Sequence, residues 1–212
     1  MLGDVLLITE KHMKAAKQVI ERLHGVKLDK YIIAVGGESG SGKSEVSHLL
    51  SKLLKKQGIF AKILHTDNYY KILPRERTEW RKKQGIEKIG HTELDWDLIN
   101  QNIEDFKENR EAKMPCVDLL TDQVDTLITN FDGINVLILD GLYCLKADVD
   151  LKIHIDLTYQ DTKKAQIARG KELQTRFRLE VLKREHEVVQ LLKKSADLLI
   201  TRDFDVIEAK KD

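Results

Sequence analysis

The stretch Tyr31-Ile32-Ile33-Ala34-Val35-Gly36-Gly37-Glu38-Ser39-Gly40-Ser41-Gly42-Lys43-Ser44 decides the fold. Residues 31–36 form a short apolar run rich in strand-forming side chains, which reads as a buried strand. Residues 37–44 fit G-x-x-x-x-G-K-[ST] in full. Beyond them Val46, Leu49, Leu50, Leu53 and Leu54 recur at helical spacing, closed by Gly58 where a helix C-cap belongs. Strand, glycine-rich turn and helix in that order are the context that makes the motif a phosphate cradle. Gly37, Gly40 and Gly42 let successive backbone N–H groups approach phosphate oxygens with no Cβ in the way. The helix that starts near Lys43 adds the partial positive charge of its N-terminus. Lys43 is expected to reach the β and γ phosphates, and the Ser44 hydroxyl to ligate Mg²⁺. The bland alternative is a glycine-rich turn with an incidental lysine, and the full match in this context speaks against it.

Working outward, further apolar runs at 59–65, 135–140, 151–157 and 197–201 are separated by stretches with helical spacing. That alternation predicts an α/β fold with a mostly parallel five-stranded sheet flanked by helices in three layers. Met13, Ala16, Ile20 and Leu23 make an apolar stripe before the first strand, so residues 1–30 are expected to add a helix on the outside. Residues 95–109 read as a helix through Leu98, Ile99, Ile103 and Phe106, and 116–120 with 123–128 read as a hairpin. Residues 158–194 are strongly charged and predict two helices meeting near Gly170. The run Leu151-Lys152-Ile153-His154-Ile155-Asp156-Leu157 alternates strictly, as a half-exposed strand does.

Composition narrows the partners. The chain has 212 residues, of which 36 are basic and 35 acidic, for a formal net charge of +1. The length suits one domain, or one domain with an appendage. A near-zero charge gives no field-level reason for nucleic acid or a membrane surface as partner. No apolar run reaches the roughly 18 residues of a spanning helix. The N-terminus lacks a secretory pattern, so the expected location is cytoplasmic. Cys116 and Cys144 build no disulfide framework and are expected to be small half-buried apolar residues. The N-K-x-D signature of a guanine-nucleotide switch is absent. Nothing in the sequence bars a homo-oligomer.

Two further stretches carry chemistry. Val136-Leu137-Ile138-Leu139-Asp140-Gly141 is an apolar strand ending in a carboxylate; beside a phosphate loop, Asp140 is expected on the metal side. Taken alone, it is a common turn signal. His65-Thr66-Asp67-Asn68-Tyr69-Tyr70 follows the second strand, where open α/β sheets point into the ligand crevice. Asp67 is a candidate general base or metal ligand, and Tyr69 and Tyr70 are candidate walls of an acceptor pocket. The alternative is a capped turn followed by two packing aromatics.

Together these motifs resemble the uridine kinase and phosphoribulokinase family of P-loop kinases, from Tyr31 to about Thr201. The phosphate loop matches, His65-Thr66-Asp67-Asn68-Tyr69-Tyr70 stands for the family's S-D-[DS]-[FY]-Y, and Leu139-Asp140-Gly141-Leu142 for its E-G-[IL]. Lys193-Lys194-Ser195-Ala196-Asp197-Leu198-Leu199-Ile200 is similar to its K-K-Y-A-D segment, and Arg169-Gly170-Lys171 to its R-G-R. The resemblance implies a P-loop nucleoside triphosphate hydrolase-type fold with residues 31–212 as the kinase domain. It implies ATP and Mg²⁺, Asp67 as base, Ser44 and Asp140 at the metal, and a helical lid whose cations are Arg169 and Lys171. Residues 37–44 with Glu45 and Lys171 form the expected nucleotide set, and Lys43, Asp67 and Arg169 the catalytic one. On the acceptor side the resemblance thins. Gly90-His91-Thr92-Glu93-Leu94-Asp95-Trp96-Asp97 stands where the family has D-H-P. Pro115-Cys116-Val117-Asp118-Leu119-Leu120-Thr121-Asp122 stands where uridine kinases have P-x-Y-D-[FY]-x-x-H. Val117 and Asp122 replace the tyrosine and histidine that read the base. Glu93 and Asp118 are the expected acceptor-side acids. The expected partner is a small hydroxyl compound, a nucleoside or a sugar-like metabolite. An adenylylsulfate or pantothenate acceptor, or a non-kinase P-loop regulatory module, are the alternatives.

Overall fold

The computed structural model describes residues 5–169 and 175–210. Helix α1 (Glu10–Arg22) starts at Thr9, whose partner in a reciprocal cap is His12, and buries Ala15, Ala16, Val19 and Ile20. Strand β1 (Tyr31–Gly37) leads through the glycine loop into helix α2 (Lys43–Lys56), against which α1 packs. Strand β2 (Ala61–His65) is followed by helix α3 (Pro74–Gln84), opened by proline at its first position, and by helix α4 (Trp96–Lys107). Asp95 caps α4 by accepting the Leu98 N–H at 3.1 Å. Strands β3 (Glu111–Asp118) and β4 (Gln123–Asn130) form the expected hairpin, longer than its apolar residues suggest. Strands β5 (Val136–Asp140) and β6 (Leu151–Ile155), helices α5 (Lys163–Arg169) and α6 (Arg176–Lys193), and strands β7 (Leu198–Ile200) and β8 (Val206–Glu208) complete the chain.

The main sheet runs β2-β5-β1-β6-β7-β8. The five predicted strands pair in parallel, and β8 adds an antiparallel sixth at the edge. Period-two alternation sorts the strand residues onto two cores. Ile33, Val35, Ile138 and Ile153 pack with Val46, Leu50 and Val19 from α2 and α1. Ile32, Ala34, Leu64, Leu137 and Leu139 pack with Ile103 and Phe106 of α4 and Val188 and Val189 of α6. Each of these Val, Leu, Ile and Phe side chains stabilises the fold by roughly 1.5–3 kcal/mol through burial, and Ala34 by less.

The structure corrects the reading of residues 151–157. β6 is not half-exposed: it lies between β1 and β7, and His154 is 1% exposed. Its alternation separates two covered faces of different polarity, with Lys193 of α6 near the histidine. Cys116 and Cys144 are buried rather than half-buried, and form no disulfide. Among the described residues no helix is long and apolar enough to cross a membrane. The glycine loop, His65 and Asp140 all lie at the carboxyl ends of adjacent strands β1, β2 and β5, where the crevice of an open parallel sheet forms.

Candidate active site

Main-chain geometry makes the cradle. Gly40 has φ +76°, and Gly42, which precedes the first turn of α2, has φ +96°; side chains avoid that left-handed region. A Cβ on Gly40 would press on Gln166 and Thr162, and one on Gly42 on the His12 ring. Ser41 is buried in the loop, and Lys43 Nζ donates to the Glu38 carbonyl at 2.9 Å. Glu38 and Glu45 take part differently from the loop amides. The Glu38 carboxylate is engaged by His186, Gln190 and the Tyr159 N–H, and Glu45 Oε1 accepts the Leu7 N–H at 3.2 Å. Ser39 presents its carbonyl to Thr162 Oγ1 at 2.7 Å.

Asp140 ends β5 with 3% exposure. β2 and β5 bring His65 beside it in register, and His65 Nδ1 lies 2.9 Å from Asp140 Oδ2. Burial alone would push this carboxyl up. The hydrogen bond and charge of His65, the Lys43 charge and the Ser44 hydroxyl outweigh burial and hold it below the ordinary carboxylate range. Asp140 Oδ1 is buried with no hydrogen-bond partner. An ionised oxygen left without a donor, beside a serine hydroxyl, suits a hard divalent cation whose other ligands are phosphate oxygens and water. Ser44 and Asp140 therefore fit Mg²⁺. Among the described residues no cluster of three or more His, Cys, Asp or Glu could hold a metal.

Asp67 sits in a short 3₁₀ turn directly after β2. Its Oδ1 is 3.6 Å from where a Cβ on Gly141 would lie, which places it close to the end of β5. Thr66 Oγ1 donates to the Asp140 carbonyl at 3.3 Å, leaving no room for a side chain at Gly141. Loop, lysine, Ser44, Asp140 and Asp67 thus share one end of the sheet.

The expected acceptor residues separate. Tyr70 is partly buried, with the Arg77 guanidinium 3.6 Å from its ring centre. Tyr69 is 2% exposed and donates its hydroxyl to Asn102 Oδ1 at 2.7 Å, which makes it a core residue. Glu93 is held by Arg81 through two hydrogen bonds of 2.7 and 2.8 Å. Arg81 also donates to Glu185 at 3.2 Å, and Arg178 donates to the same carboxylate at 3.3 Å. Glu93 is therefore committed to a buried ion network that joins α3 to α6. Asp118 accepts the Leu120 N–H at 2.8 Å, which caps the hairpin turn and lowers its pKa. Asp122 pairs with Arg75 at 3.2 Å. Val117 is buried, and its N–H donates to Asn68 Oδ1 at 3.3 Å, tying the hairpin to the Asp67 turn. The side chain of Arg169 and all of Lys171 lie outside the described residues.

Sequence reasoning missed His65, Arg81, Glu185 and Tyr143. Tyr143 is fully buried beside Glu185, Tyr70 and Glu93, and its hydroxyl has no partner; burial raises its pKa. His65 could have been found from the strand order, because it and Asp140 both end their strands. Arg81 and Glu185 are 104 residues apart, and no local spacing connects them.

The family model of the Phosphoribulokinase / Uridine kinase family matches residues 32–176. A bifunctional alpha-galactosidase/sucrose kinase from Mediterraneibacter gnavus is 25% identical over 92% of this chain and 23% of its own length. A uridine kinase from Macrococcus caseolyticus is 29% identical over 59% of this chain and 61% of its own. The chain thus spans less than two thirds of the length of each of these relatives. In fold it is similar to phosphoribulokinase from Rhodobacter spheroides, with a TM-score of 0.63 and 15% identity over 82% of this chain and 70% of the other.

Proposed function

Because the chain belongs to the phosphoribulokinase and uridine kinase family, we propose that it is a small-molecule kinase. It moves the γ-phosphoryl group of ATP to a hydroxyl of a sugar-like acceptor. The observation that carries this reading is the buried Asp140 oxygen with no hydrogen-bond partner, on a carboxylate that His65, Lys43 and Ser44 hold ionised, with Asp67 close to the end of the same strand.

In this reading the loop amides and the first turn of α2 hold the β and γ phosphates. Lys43 leaves the Glu38 carbonyl for the phosphates and offsets charge that grows on the transferred group. Ser44 and Asp140 would hold Mg²⁺, which would supply further charge neutralisation for the phosphates. His65 keeps Asp140 ionised and oriented. Asp67 accepts the proton of the acceptor hydroxyl as its oxygen bonds to the γ phosphorus and the bond to ADP breaks. The charged helices α5 and α6 exclude water that would otherwise take the phosphoryl group.

The pocket residues favour a polyhydroxy acceptor over a pyrimidine nucleoside. Val117 is aliphatic and buried, and Asp122 is paired with Arg75, so neither offers the buried hydrogen bond with which a site reads a base. The relative that aligns with 92% of this chain is named for sucrose kinase activity, whereas the uridine kinases align with 59%. Those uridine kinases support a nucleoside as the second reading. ADP release measured over hexoses, pentoses, sucrose, nucleosides, pantothenate and adenylylsulfate tests the assignment. A sugar should raise turnover well above basal hydrolysis. A nucleoside doing so instead would favour the second reading, and stimulation by none of them would contradict the kinase reading.

A further inference from the structure

The phosphate loop carries an acid that phosphate binding does not ask for. Glu38 is 2% exposed. A carboxylate buried in an anion-binding loop is tolerable only when it is turned aside and fully paired. Both conditions hold. Glu38 Oε1 accepts from Gln190 at 3.1 Å and lies 2.6 Å from His186 Nδ1, and Oε2 accepts the Tyr159 N–H at 2.6 Å. Ser39 repeats the attachment through its carbonyl, which accepts from Thr162 Oγ1 at 2.7 Å and Gln166 Nε2 at 3.4 Å. His186 and Gln190 are one turn apart on α6 and so share a face. Tyr159 and Thr162 lie in the turn that leads into α5, and Gln166 lies within the helix. The Glu38 carbonyl meanwhile holds Lys43 Nζ at 2.9 Å. Glu38 therefore joins the loop lysine, through its backbone, to α6 and to the turn that leads into α5, through its side chain.

Helix α6 carries the link onward. Glu185, the neighbour of His186, accepts from Arg81 at 3.2 Å, and Arg81 in turn holds Glu93 at 2.7 Å. Contacts thus run without a gap from the phosphate loop to the buried network behind the acceptor side. We infer that Glu38 is a positioning residue that couples occupancy of the phosphate loop to the ordering of α5 and α6. When Lys43 exchanges the Glu38 carbonyl for nucleotide phosphates, the loop shifts against its side-chain anchors, and both helices respond. This inference rests on the kinase reading above, and it assigns to Glu38 no contact with substrate.

Hydrogen exchange of the full chain, with and without Mg²⁺ and the nucleotide analogue AMPPNP, tests it. In the wild type, AMPPNP should slow exchange across residues 158–166 and 176–193 by about tenfold, within the usual range of coupling between sites. In Glu38→Ala that nucleotide-induced slowing should fall below about twofold. Glu38→Gln can still accept the Tyr159 N–H while its amide nitrogen faces His186 and Gln190, whose own amide can turn to accept, so it should keep most of the effect. His186→Ala leaves the loop sequence intact and should lose the α6 share alone. A merely structural Glu38 would lower protection equally with and without nucleotide, leaving the induced change intact, and that result overturns the inference. So does an unchanged α6 response in His186→Ala. Failure of the wild type to bind AMPPNP would overturn the kinase reading itself. Binding with no dependence on Glu38 or His186 would overturn the coupling alone.

Discussion

At the glycine-loop end of the molecule the candidate site is built of main chain: a loop with Gly40 and Gly42 at positive φ, the first turn of α2, and strand ends fixed by parallel pairing. Where the acceptor was expected, the structure is built of side chains: Tyr70 under Arg77, Val117 buried on a hairpin, and Glu93 locked to Arg81. The first kind of site depends on a backbone path that few sequences can follow, so it leaves a motif. The second depends on which side chains meet across long sequence separations, and many sequences can build the same walls. Chemistry can thus be read locally at one end while selectivity is distributed at the other.

Removing the acceptor-side ion network should have the largest effect on stability. Arg81→Ala leaves Glu93 and Glu185 buried without their shared partner and should cost about 3–5 kcal/mol, measured by urea unfolding. A cost below 1 kcal/mol would show that the network is not what holds α3 to α6. At the phosphate end, Asp140→Asn should lower turnover by roughly 10²-fold and raise the Mg²⁺ concentration needed for half-maximal rate, with little change in the unfolding midpoint.

The comparison also explains what the sequence made legible. The five parallel strands, α2, α4 and the hairpin follow from apolar periodicity and turn residues, and the phosphate loop from its glycines. β8 was missed because Val206-Ile207-Glu208 is too short to show alternation. Strict alternation at Leu151–Ile155 pointed to an exposed face, but a second layer covers it, and periodicity cannot distinguish a wet polar face from a buried one. Tyr69 looked like a pocket wall by its position in a motif, whereas its hydroxyl is spent on Asn102 inside the core. Partnerships such as His65 with Asp140 require the strand order, which no local pattern contains.

His154 sharpens this point with a smaller effect. Burial, with the Lys193 and Lys43 charges opposed by Asp156, lowers its pKa from 6.5 to about 4. Between those values the unfolded chain binds a proton that the folded chain does not, so stability falls as pH drops through that window. His154→Leu should flatten that part of the stability curve in urea titrations at stepped pH; an unchanged slope would assign the acid sensitivity to other groups. Smallest of all should be Ile128→Lys on exposed β4, where Ile128 is 64% exposed and a change within about 0.5 kcal/mol is expected. A larger loss would show that the outer face of the hairpin is covered in solution.

In the proposed reaction Asp67 serves the acceptor while the main-chain cradle serves the nucleotide. Asp67→Asn tests it most directly, with turnover on the most active acceptor and AMPPNP affinity measured on the same preparation. The kcat should fall roughly 10²–10⁴-fold with AMPPNP binding within about threefold of wild type. An equal loss in both would place Asp67 in the nucleotide site and contradict that assignment.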